Sequence, residues 1–133
     1  MSNTITLADQ DKAIIRTAAY GAVSLLATVS AKPHRVATAG SLALNSATGL
    51  VGHVLSAKSK DIVLNGKTTA ALADQVLPAL TEAMAMLNAQ SSAEADNFRQ
   101  TVQVALEAGW VPVQPAPAMA AMMHKINAAL GAA

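Results

Sequence analysis

The chain contains no cysteine. Disulfide stapling, thiolate catalysis, cysteine-ligated zinc, iron–sulfur clusters and thioether-attached haem are therefore excluded. Aromatics are almost absent, with one Trp, one Tyr and one Phe. Stacking on nucleic-acid bases is nearly unavailable to such a chain. Charge is scarce too: Asp, Glu, Lys and Arg make up 13% of the residues, and their sum is only +1. A protein that coats nucleic acid is more basic than this, so no nucleic-acid partner is expected.

What is present is aliphatic. Hydrophobic residues reach 53% of 133 residues. That is enough to bury a core and too much for general disorder. The length suits one domain, 1–133.

Two uncharged runs need separate readings. Lys12 and Arg16 precede the run from Thr17 to Ala31, and Val29-Ser30-Ala31 has the small-residue pattern of a cleavage site. This mimics a secretory leader. Asp9 and Asp11 stand in the would-be positive region, however, so the run reads as a core helix. The stretch from Val36 to Ala57 is long enough to span a bilayer. Asn45, His53, three glycines and several hydroxyl residues dilute it. It reads instead as a fully buried central helix of a water-soluble domain. No membrane span and a cytoplasmic location are expected.

Helix signals dominate the rest. Thr6 and Asp9 resemble a capping pair. Ile14, Ile15, Ala18, Ala22, Leu25, Leu26 and Val29 recur at three- and four-residue steps, which predicts a first helix over 7–31. Lys32-Pro33 ends it, and Pro33 suits the first turn of the next. In 34–57, Ala39, Ala43 and Ala47 line one face beside Gly40, so backbones can approach closely. Gly49 is a candidate break.

Residues 58–67, KSKDIVLNGK, read as a connection with an Asn65-Gly66 turn. Thr68 is placed to cap a helix from 68 to 88 that Pro78 kinks or restarts. Ser91 and Glu94 form a capping box for a helix to about Ala108, with Gly109 at its end. Gly109–Pro117 reads as an irregular, proline-stiffened linker. Met119, Met122, Met123, Ile126 and Leu130 mark a last helix ending near Gly131. The fold expected is all-α: a compact bundle of five or six helices around a central apolar, alanine- and glycine-rich helical segment.

Chemical motifs are few. Gly66-Lys67-Thr68 has the end of a phosphate-binding loop, but Asp61 stands where the pattern needs glycine and would repel phosphate. No GxSxG elbow or HExxH pair occurs. His34, His53 and His124 lie in different elements, and no cofactor or metal is expected. Lys32, His34 and Arg35 cluster at one break, and Lys58, Lys60 and Lys67 at another.

His53 lies in Gly52-His53-Val54-Leu55-Ser56-Ala57-Lys58-Ser59. This octapeptide resembles the histidine-phosphotransfer modules of two-component signalling, in the His, the Leu two residues on and the small Ala57. It departs from them at Ser56, where their lysine stands, and at Ala57, where they carry glycine. The resemblance implies a four-helix bundle with an exposed phospho-acceptor at His53.

The leading expectation is non-catalytic. Alanine gives helix propensity but little burial per residue, so one copy has a thin core and a homodimer is expected. The protein would act by self-association and by binding a protein partner or small apolar ligand. Trp110, Met119, Met122 and Met123 are the candidate contact residues. The alternative is a phosphotransfer module centred on His53.

Overall fold

A computed structural model describes residues 7–56, 64, 67–110 and 117–131. Six α-helices and no strand occur among them: α1 (Asp9–Thr28), α2 (Pro33–Asn45), α3 (Gly49–Ser56), α4 (Thr69–Gln90), α5 (Ser92–Trp110) and α6 (Pro117–Ala129). The fold is an all-α bundle. One cluster of buried side chains runs from Leu7 to Leu130 and draws on every helix. Expectations for Thr6, for most of 58–67 and for 111–116 fall outside the described residues.

The centre of the bundle is α1, which touches all five other helices. Ile15, Ala18, Ala19, Ala22, Leu25 and Leu26 are fully buried along it. The sequence reading put 34–57 at the centre, and the structure corrects this. That stretch divides at Ser46–Thr48 into α2 and α3, and only Val36, Gly40 and Leu44 of α2 are buried. The reason is polar spacing. His34, Arg35, Thr38 and Asn45 line the outer side of α2, whereas no charged residue follows Arg16 in α1.

Close approach between helices depends on glycine. A Cβ built on Gly40 would stand 2.6 Å from Cγ1 of Val23, and one on Gly21 would stand 2.7 Å from Cγ2 of Val76. On Gly109 it would stand 2.9 Å from Cγ1 of Val36. Valines from α1, α4 and α2 thus fill the gaps left by glycines of α2, α1 and α5. Gly109 was expected as a helix end. It lies inside α5, which runs on to Trp110, and its lack of a side chain admits α2.

Other terminal signals act as expected. Thr68 Oγ1 accepts from the Ala71 amide at 3.1 Å, and Ser91 Oγ accepts from the Glu94 amide at 3.3 Å. Gly131, at φ 78°, follows the last turn of α6. Pro78 does not restart α4, which continues from Thr69 to Gln90. Pro78 and Asp74, whose carbonyl it leaves without a helical donor, are both exposed, so water can serve that carbonyl.

Candidate functional site

His53 lies on α3, a helix of eight residues that is too short to hold itself together. Its two ends are held by side chains from α5 and α1. At the start, Glu94 Oε1 accepts from the Val51 amide at 3.2 Å. Asn97 Nδ2 donates to the Thr48 carbonyl at 2.9 Å and to Glu94 Oε1 at 3.4 Å. Gly49 turns the chain there with φ 74°, and Asn97 Nδ2 occupies the space a Cβ would need. At the far end, Arg16 Nε donates to the Val54 carbonyl at 3.0 Å, and the Tyr20 hydroxyl donates to the Leu55 carbonyl at 2.8 Å.

The charges suit the helix they hold. A carboxylate meets the amide end of α3 and a guanidinium meets its carbonyl end, as the peptide dipoles favour. Burial pushes the Tyr20 phenol above its usual 10.0, while a hydrogen bond with Asn45 and the charge of Arg16 pull the other way. Within α3, Val51, Val54 and Leu55 face the core, and His53 faces solvent.

Arg16 was not singled out as a site residue from the sequence. It is 8% exposed, the one buried charged side chain among the described residues. Its spacing gave no signal: Arg16 lies off the Ile14–Ala18–Ala22–Leu25 stripe, and it is buried because α1 is contacted by all five other helices. Glu94 was read only as half of a local capping box. Its carboxylate instead reaches α3, a contact that no local pattern encodes.

The expected contact residues separate. Met119 and Met122 are 1% and 7% exposed and belong to the core. The methionine surface is therefore turned inward. Met123 is half-buried and borders a cleft of about 160 Å³ with Gln103, Leu106, Glu107 and Asn127. Trp110 is half-buried against the core at the end of α5. His34, His53 and His124 are all exposed, and among the described residues no group of three His, Cys, Asp or Glu could hold a metal.

The open apolar surface lies elsewhere, on α2 and α5. Leu42 is 65% exposed and Val104 is 56% exposed, the large apolar side chains left in solvent among the described residues. The two helices run antiparallel, because Val36 meets Gly109 at one end and Thr48 meets Asn97 at the other. A cleft of about 300 Å³ between them is lined by Ala43, Ala47 and Thr48 on one side and Asn97, Gln100 and Val104 on the other. A shallower hollow borders His34, Arg35, Ala39 and Leu42. Both apolar residues were legible as outliers. Leu42 is off the Val36–Gly40–Leu44 stripe, and Val104 is off the Phe98–Val102–Leu106 stripe.

No helix among the described residues is long and apolar enough to cross a membrane. No known protein family, curated protein or solved structure matches this chain.

Proposed function

We propose that this chain is a non-catalytic helical domain that works by contact, through self-association and the docking of a protein partner or small apolar ligand. The observation that carries the reading is the exposure of Leu42 and Val104 on adjacent helices, Val104 at the rim of the α2–α5 cleft and Leu42 in the neighbouring hollow on α2. Burying such side chains against a partner is favourable, at roughly 25 cal/mol per Å² of apolar surface.

A cytoplasmic setting is part of this proposal. Its support is that the run resembling a secretory leader belongs to α1, the helix that every other helix packs on. Light scattering across a concentration series tests the reading. Mass should rise with concentration in the wild type and less in Leu42→Ser. A mass fixed at the monomer up to millimolar protein, with no change in Leu42→Ser, overturns it.

Phosphotransfer through His53 is the second reading, favoured by one observation: the imidazole is exposed on a helix fixed at both ends. Incubation with phosphoramidate tests it. Phosphate uptake that His53→Gln abolishes supports this reading, and uptake unchanged in that variant eliminates it.

A further inference from the structure

We infer that the α2–α5 face is covered by a second copy of the chain, in a twofold dimer whose axis runs along the two helices. Each α2 then lies over the partner's α5. The inference rests on the contact-domain reading and adds the occupant and its geometry.

Two stripes make up the face. On α2 they are Arg35, Ala39, Leu42 and Ser46, at steps of four, three and four residues. On α5 they are Asp96, Gln100, Val104 and Glu107, at steps of four, four and three. Such steps keep side chains on one side of a helix. The antiparallel packing puts Arg35 at the same end of the face as Glu107, because Val36 and Gly109 are in contact there. Both residues are exposed, and neither forms an ion pair among the described residues.

A self-complementary face must carry both halves of each contact it makes. This one does. Rotation about an axis parallel to the helices exchanges α2 with α5 and keeps each end opposite itself. Leu42 then meets Val104 of the second copy, and Arg35 meets Glu107 of the second copy, each contact occurring twice. The other twofold, with its axis across the helices, lays α2 on α2 and α5 on α5. It leaves Arg35 opposite Ser46 and Glu107 opposite an Asp96 already paired with its own Arg99, so neither end of the face gains a charge pair. The face is roughly 20 Å by 18 Å, from helix rise and interhelical spacing. At roughly 360 Å² per copy that is below the standard size of stable interfaces, so the dimer should be weak and form only at high protein concentration.

The absence of cysteine makes the test clean. Leu42→Cys and Val104→Cys are made separately, mixed at concentrations where the wild type associates, and oxidised. The expected result is a cross-link between the two variants, with little product from either variant alone. Arg35→Glu and Glu107→Arg should each weaken association about tenfold, and the two together in one chain should restore it. Cross-linking of Leu42→Cys to itself, or charge reversals without effect in a protein that still associates, overturns this geometry and leaves the contact-domain reading intact. Failure of the wild type to associate at any concentration overturns both.

Discussion

Gly40 of α2 lies against Val23 of α1 so closely that a methyl group added to it would stand 2.6 Å from the valine Cγ1. Sequence leads directly to packing here. Glycine inside a helix weakens the helix, and here the close approach of Val23 leaves no room for a side chain. Valine is stiff about χ1 and cannot turn aside cheaply.

Gly40→Ala should therefore destabilise the protein by about 1–3 kcal/mol, despite the helix propensity that alanine gains. Chemical denaturation would measure it. Val23→Ala should recover part of the loss in a double-mutant cycle, because the two sites share one contact. A stabilised Gly40→Ala variant would refute the close approach.

Glu94→Ala should cost about 1–2 kcal/mol by leaving the amide end of α3 without its acceptor. The signature is local: the Val51 amide, which Glu94 accepts from, should exchange with solvent much faster than in the wild type. Unchanged Val51 exchange would rule out this cross-helix cap.

Arg16→Ala should be the harsher change, at about 2–4 kcal/mol. It removes a buried side chain and deprives the Val54 carbonyl of its donor. A loss below about 0.5 kcal/mol, the usual range for a surface site, would refute the assigned role.

Tyr20→Phe removes the hydroxyl that donates to the Leu55 carbonyl, and about 1 kcal/mol should go with it. The loss depends on pH with a definite sign. Burial holds the folded-state pKa above 10.0, so the folded protein keeps this proton more firmly than the unfolded chain. The stabilisation is complete below the unfolded pKa and falls as pH rises through the folded one. The advantage of the wild type over Tyr20→Phe should therefore be constant at neutral pH and shrink above about pH 10. A gap that widens there would contradict the burial of the phenol.

Much of this architecture was legible in the sequence because it is local. Thr68 and Ser91 cap the helices they precede, Pro33 opens α2, and apolar periodicity marks the core faces of α1, α4, α5 and α6. The errors share a cause. Gly109 carries the residue type of a helix end but serves a neighbouring helix, and one sequence does not display the neighbour. The run 34–57 has few charges, but burial depends on how polar residues are spaced around a helix. Met119, Met122 and Met123 have the spacing of a stripe, and a stripe alone does not say whether it faces inward. The holding of α3 was invisible for the same reason. Glu94, Arg16 and Tyr20 reach it across separations of 35 to 43 residues.

Those separations bear on the order of assembly. A helix of eight residues cannot nucleate alone, and its terminal partners arrive only when long loops have closed. The parts of α1 and α5 that hold its ends must be in place first, so α3 should be the last piece to condense and the first to fray. Its formation would follow the assembly of its neighbours, whatever the helix propensity of GLVGHVLS itself.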